Sequence, residues 1–205
     1  PKHVAPFGGR EPRLGTNPIC IAVPSALGEP LVHDMATSAV AVGKIKLAQA
    51  KGVDIPEGWI VDENGNATTD PNAYGKGAVL LPLGGPEGHK GYGLSAMVEI
   101  LSALLPGLGF GVEPTGRHND GCFLAMFNVS AFRDLDTFKQ EVADFAHDLK
   151  DTPPQKGFDE VLYPGEIEQR NEAERRANGV SVDDKTWSQL RELGEKHGFG
   201  GDFAA

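Results

Sequence analysis

The sequence predicts an α/β fold: a mixed β-sheet with flanking helices, followed by C-terminal helices. Three observations predict it. Short apolar runs, PICIAVP and EPLVHDM, are separated by the turn-forming SALGEP. Helix-forming stretches alternate with such runs along the chain, as in Ala39–Ala50 and Asp136–Lys150. The last forty residues are polar and helix-forming, broken by Gly179 and Gly198. At 205 residues the chain can bury a core and forms one domain with a small appendage.

Taken in order, residues 18–24 and 29–35 are expected to be paired strands. A helix over Ala39–Ala50 follows, with Thr37 or Ser38 as N-cap and Gly52 as its stop. Residues 53–77 are rich in turn formers, and Asn64–Gly65 signals a hairpin, hence a small two-stranded excursion around Trp59–Val61. Ala78–Leu83 reads as a short buried strand. Next comes a glycine-dense loop carrying His89 and Lys90, then an apolar helix to Leu105. Residues 106–120 form a long irregular loop, of a kind that is usually functional or mobile. Gly121–Val129 reads as a buried strand, and Asp136–Lys150 as an amphipathic helix with Phe138, Val142, Phe145 and Leu149 on one face. Two polar helices close the chain, Ile167–Asn178 and Asp183–His197, the second capped by Ser181 with Asp184 as a loose capping box. The final GGDFAA is expected to fray.

Composition excludes some functions. The formal charge of −10 repels duplexes and anionic membranes, so neither nucleic acid nor membrane is an expected partner. Cys20 and Cys122 lie in apolar runs without CxxC spacing. They read as buried thiols in a reducing compartment, and the cytoplasm is the expected location. The chain opens PKHVAPFGGR, without Met or a charged-then-apolar leader, and reads like the middle of a protein. None of His3, His33, His89, His118, His147 and His197 has close metal-ligand spacing, so no metal site is expected.

The chemistry concentrates at helix mouths. The first turn of a helix presents unpaired N–H groups and a partial positive charge, which suits phosphate or carboxylate. His89 and Lys90 add charge at one such mouth; the alternative is an ordinary helix start with a solvated Lys–His pair. GYGLSA at Gly91–Ala96 formally matches the dinucleotide fingerprint G-x-G-x-x-G/A. A loop containing Pro86, Glu87 and Lys90 intervenes after the strand, however, and Glu113 does not end an apolar run, so the doubly wound Rossmann arrangement is not expected. Asp34 ends an apolar strand just before a helix, where it can cap that helix or orient a catalytic histidine. Glu166, in YPGE, can favour a helix dipole or hydrogen-bond a ribose hydroxyl.

Taken together, RLGTNPICIAVP, HDMATSAVAVGK, IPEGWIVDENGNATTDP, LPLGGPEGHKGYGL and LYPGE resemble the type-2 malate/L-lactate dehydrogenase family. This family includes sulfolactate, ureidoglycolate and hydroxycarboxylate dehydrogenases and diketogulonate and piperideine-carboxylate reductases. The resemblance implies a non-Rossmann α/β fold. It also implies NAD- or NADP-dependent hydride transfer between an L-2-hydroxy acid and its 2-oxo acid, or a related imine reduction. A homodimer with the cofactor near the subunit interface is implied as well. On the resemblance, Asp34 partners the catalytic histidine. Asp34, Met35, Ala36, Thr37 and Ser38 lie on the cofactor, as do His89 and Lys90; Gly165 and Glu166 match a late cofactor-contacting turn. The family's catalytic histidine, its neighbouring serine and its substrate-binding arginine belong to an N-terminal portion with no counterpart here, and neither His3 nor His33 matches that motif. General acid–base help contributes about 10²–10⁴-fold, so this chain alone is expected to turn over poorly. The alternative is a non-catalytic cofactor-binding or scaffolding fragment. Residues 1–165 are expected to form the cofactor-binding domain, and 166–205 a helical segment that packs with the missing N-terminal helices.

Overall fold

The computed structural model describes residues 2–111 and 121–199. The reading of Glu113 and His118, and that of the terminal GGDFAA, lies outside the described residues. The protein is of the α/β class, with two small antiparallel sheets and five helices among the described residues.

β1 (Ile19–Val23) and β2 (Leu31–Met35) form an antiparallel hairpin in which Cys20 faces Asp34 and Ile21 faces His33. The turn between them is tightened by the Ser25 hydroxyl, which accepts the Leu27 N–H at 3.0 Å. A second sheet has the order β4-β3-β5, with β3 at Ile60–Val61, β4 at Ala67–Thr68 and β5 at Val79–Leu80. The expected two-stranded excursion therefore recruits the following strand as a third member. Its hairpin is built by Asp62, whose Oδ1 accepts the N–H groups of Asn64 and Asn66 at 2.9 and 2.8 Å, with Gly65 at φ 89°. The core lies here: Val4, Val40, Ile45, Ala48, Ile55, Ile60, Ala78 and Leu80 pack together, flanked by Leu14, Trp59 and Tyr74.

Helix α1 (Val42–Lys51) starts later than Ala39, and Ala41 occupies the N-cap without a side-chain bond. Thr37 and Ser38 do not cap it, because their hydroxyls are committed elsewhere: Thr37 to the Thr16 and Asn17 carbonyls, Ser38 to that of Val40. Residues 37–39 instead run alongside 81–83, with Ala39 N–H on the Leu81 carbonyl. Gly52 stops α1 at φ 64°, as expected.

Helix α2 spans His89–Glu99 and continues as a π-helical turn over Ile100–Leu104. The expected glycine loop around His89 and Lys90 is thus corrected: these residues open the helix, and Gly91 and Gly93 lie inside it. Gly91 is buried, and a Cβ there would run into the Leu83 carbonyl, so this glycine permits close helix-to-loop packing.

Gly121–Val129 is not a buried strand. Residues 121–128 form no strand, and Phe123, Leu124, Met126 and Phe127 are exposed, Met126 at 98%. Among the described residues no strand pairs with this stretch, and that absence leaves its apolar side chains uncovered. Cys20 and Cys122 are likewise exposed free thiols rather than buried ones.

Helix α3 (Leu135–Lys150) is capped by Asp134, which accepts the Thr137 N–H at 2.8 Å. Its buried line runs through Ala143 and Ala146, which leaves Phe145 exposed rather than on the packed face. Helix α4 covers Glu166–Asn178 and helix α5 covers Asp184–Lys196. Asp183, not Ser181, caps α5, because its carboxylate reaches the N–H and hydroxyl of Thr186. Among the described residues no helix is long and apolar enough to cross a membrane.

Candidate functional site

Three of the segments singled out in the sequence are fastened to β2 or to its continuation through Thr37. The first is its own continuation, residues 34–38. Asp34 is exposed, Met35 and Ala36 are half-buried, and Thr37 and Ser38 are buried. Thr37 is the anchor: its N–H bonds the Thr16 carbonyl at 2.9 Å, and its hydroxyl lies 3.0 Å from the carbonyls of both Thr16 and Asn17. With that proton already engaged, the Thr37 side chain fixes the backbone rather than presenting a free donor.

The second segment leads to α2. The Leu83 N–H bonds the Thr37 carbonyl at 3.0 Å, which sets the 82–90 stretch beside 34–38. Gly84 and Gly85, at φ 119° and 55°, turn the chain into a short 3₁₀ turn at Gly85–Glu87 and then into α2. His89 and Lys90 therefore sit in the first helical turn, exposed. Glu87 lies 3.2 Å from the Lys90 ammonium and 3.8 Å from His89 Nε2, and the Phe7 ring meets His89 edge-on at 5.7 Å.

The third segment is the Tyr163–Glu166 turn. The Val32 N–H bonds the Pro164 carbonyl at 3.3 Å, and Gln169 Nε2 donates to the Pro30 carbonyl. Gly165, at φ 92°, fits so closely that a Cβ would stand 3.0 Å from the Val32 carbonyl oxygen. Glu166 is only 6% exposed, and both of its carboxylate oxygens are engaged. Oε1 pairs with Lys150 and with Arg170, and Oε2 accepts the Tyr163 N–H at 3.3 Å. Burial pushes the Glu166 carboxyl up, but these donors outweigh it and hold it below its ordinary value; the same pairing raises Lys150. Glu160 completes the cluster with two bonds to Arg170, which bring its pKa down to about 2. The Glu166 carboxylate thus locks α3 to α4 and leaves the turn's backbone facing β2.

Two residues that the sequence reading did not single out tie these parts together. Asn17 adopts φ 39°, and its amide donates to the Ser95 carbonyl at 3.1 Å and to Glu99 Oε2 at 2.8 Å. Glu99 Oε1 accepts the Gly111 N–H at 2.7 Å. The signal available was the Asn-Pro pair in LGTNP, a turn-forming dipeptide. Among the described residues no group of three or more His, Cys, Asp or Glu could hold a metal ion.

A cavity of about 1230 Å³ forms a separate groove between β1 and the 122–129 stretch. Of residues 34–38, only Ala36 lines it.

With this geometry in view, comparison with known proteins identifies the class. The sequence model for malate/L-lactate dehydrogenase matches residues 1–191, and the chain belongs to that family. It is 42% identical over 199 residues to the malate/(S)-sulfolactate dehydrogenase of Methanothermus fervidus, covering 94% of this chain and 56% of that protein. It is 40% identical to the L-lactate dehydrogenase of Cupriavidus necator, again covering 94% and 56%. Among solved structures, malate dehydrogenase from Entamoeba histolytica superposes with a TM-score of 0.83 at 31% identity, covering 96% of this chain and 59% of that one. The chain thus spans a little over half the length of the relatives it matches.

Proposed function

We propose that this chain forms the cofactor-holding part of an oxidoreductase that moves a hydride between NAD or NADP and a 2-oxo acid/L-2-hydroxy acid pair of the malate or lactate type. The observation that carries the reading is that 82–90 is fastened to 34–38 through Thr37, and 163–166 to the adjoining strand β2 through Val32. The residues fit a dinucleotide. The first turn of α2 carries N–H groups without intrahelical acceptors, Lys90 and His89 stand in that turn, and nothing fills the space where a Gly85 Cβ would project. When bound, the nicotinamide ring supplies the hydride acceptor or donor.

The roles of the chain's own residues follow from their places. Lys90 exchanges Glu87 for an anionic group of the ligand, and His89 adds a donor beside it. Residues Asp34–Ser38 form the floor, held rigid by Thr37. Gly165 and Glu166 brace the other edge of β2, with the Glu166 carboxylate as the lock. Asp34, whose carboxylate has no hydrogen-bond or ion-pair partner among the described residues, is available to fix the tautomer of a histidine. On the family resemblance that histidine lies in the portion of the relatives this chain does not span. Residues 1–165 then form the cofactor domain and 166–205 a helical segment. The resemblance also carries a homodimer, and two free cysteines suit a cytoplasmic location.

Calorimetric titration of NADH and NADPH tests this reading. A hydrogen bond to a charged group contributes about 1.5–3 kcal/mol, so Lys90→Ala is expected to weaken binding about tenfold or more. Equal affinity in the two proteins removes Lys90 from the site. A second reading, a cofactor-binding scaffold without turnover, is favoured by one observation: among the described residues no histidine is hydrogen-bonded to Asp34. Oxidation of malate, lactate or sulfolactate by the chain alone, followed at 340 nm, decides against it.

A further inference from the structure

Among the described residues, Asn17 is the one non-glycine residue with a positive φ, at 39°. It also precedes Pro18, a position that normally favours extended backbone. Such a conformation costs free energy and persists where the surrounding bonds over-determine it. Here those bonds run in two directions. The Asn17 carbonyl accepts the Thr37 hydroxyl at 3.0 Å, which ties it to residues 34–38. Its side-chain amide donates to the Ser95 carbonyl at 3.1 Å and to Glu99 Oε2 at 2.8 Å, which ties it to α2. Gly15 makes room for this side chain, since a Cβ there would stand 2.7 Å from Asn17 Oδ1. Glu99 is fixed in turn by the Gly111 N–H, 2.7 Å from its other oxygen.

On the cofactor reading, residues 34–38 and the mouth of α2 are two walls of one site. Gly91, Ser95 and Glu99 follow at intervals of four, so they share one face of α2. That face meets Leu83 at its start and Asn17 further along. Leu83 is itself tied to the Thr37 carbonyl. One attachment would leave the helix a pivot; two fix the direction of its axis. Ser95 is fully buried, and a bond there is stronger than the same bond in water. The bond to the Glu99 carboxylate is charge-assisted and stronger again. A dinucleotide engages both walls at once, so its affinity depends on their spacing being set before it arrives. A small anion at the α2 mouth engages one wall only.

We propose that Asn17 is a positioning residue for the cofactor. Its left-handed backbone and its side-chain amide clamp α2 against residues 34–38 and hold the two walls at the separation a dinucleotide spans. Asn17 touches no ligand in this role. The proposal rests on the cofactor reading, and one arm of its test is free of cofactor so that the two can fail separately.

Two variants carry the test. Asn17→Gly removes the amide and relieves the cost of the positive φ. Asn17→Asp keeps the size and the tolerance of positive φ, but turns the donor into a carboxylate facing Glu99. Each is compared with the unaltered chain by calorimetry with NADH, NADPH and inorganic pyrophosphate, and by amide hydrogen exchange without ligand. A hydrogen bond to a charged group corresponds to about tenfold or more in an equilibrium, so both variants are expected to bind the reduced dinucleotide about tenfold more weakly. Pyrophosphate affinity is expected to stay within about twofold, because the α2 mouth itself is intact. The Leu83 N–H, which joins the two walls, is expected to exchange about tenfold faster in both variants, while the Leu80 N–H in the core is unchanged.

Unchanged dinucleotide affinity in the variants overturns the positioning role, as does an Asn17→Asp protein that matches the unaltered chain. Equal weakening of dinucleotide and pyrophosphate also overturns it, because a general loosening would then account for both. An unaltered chain that binds neither NADH nor NADPH overturns the cofactor reading instead. Leu83 exchange still accelerated in that case upholds the clamp, and exchange equal in all three proteins removes it.

Discussion

Glu166 shows how a residue chosen for one reason serves another. Its place at the start of a helix, after a glycine, is legible in the sequence. Arg170, four residues on in the same helix, is within reach of local spacing, but Lys150 is not legible, because α3 and α4 meet only through the fold of the 151–165 segment. The Lys150–Glu160–Glu166–Arg170 cluster gives stability a pH dependence. Glu160 falls to about 2 in the folded protein, against an ordinary value near 4.5. A depressed carboxyl stabilises the fold above its unfolded pKa, and that contribution is lost as pH falls toward the folded value. Urea unfolding midpoints are therefore expected to drop between about pH 4.5 and pH 2. Glu160→Gln should lower the midpoint at pH 7 and flatten the acid slope; parallel curves for the two proteins would remove Glu160 as a source of the dependence. Asn17 is harder to see in sequence. A residue before proline is normally driven to extended backbone, yet this one takes φ 39°, stabilised by bonds to Ser95 and Glu99 more than seventy residues away.

At the scale of elements, local pattern was reliable where the partner is local. The β1–β2 hairpin, the Asn64–Gly65 turn, the stop at Gly52 and the closing pair of helices were all readable, because neighbouring residues determine them. The start of α1 was not, since Thr37 and Ser38 answer to distant carbonyls. Nor was the run of glycines in α2, which looks like a loop until Leu83 is seen pressed against it. This pressure separates two glycines of one helix. Gly91→Ala forces a Cβ into the Leu83 carbonyl and should destabilise by several kcal/mol, in the range of overpacked sites. Gly93 has open space at its Cβ position, and Gly93→Ala should stabilise by about 0.5–1 kcal/mol through helix propensity. Thermal or urea unfolding of both variants checks the pair, and similar effects from the two would contradict the packing assigned to Gly91. Gly121–Val129 teaches the converse. Its apolar composition predicts a buried strand, yet the stretch forms no strand and leaves Leu124 and Met126 exposed, because apolar content alone does not provide a pairing partner.

Across the whole molecule, the packed core draws on residues 4–80, whereas α4 and α5 expose Ile167 and Leu193, and the link between them exposes Val180. The segments proposed for the site are attached to the firm part: 34–38 directly, 82–90 through Thr37, and 163–166 through Val32. The candidate cofactor site was legible because its motifs are short and continuous. The groove was not, because it is a relation between two stretches a hundred residues apart. The exposed Leu124 and Met126 beside it have a colloidal consequence. Copies of the chain carry a charge of −10 and hold one another off at low ionic strength. The Debye length shrinks from about 10 Å at 0.1 M salt to about 3 Å at 1 M, so added sodium chloride removes that mutual repulsion while leaving these apolar side chains just as adhesive. Static light scattering should therefore show the apparent molar mass climbing with salt, and the climb should vanish when Leu124 and Met126 are both lysine.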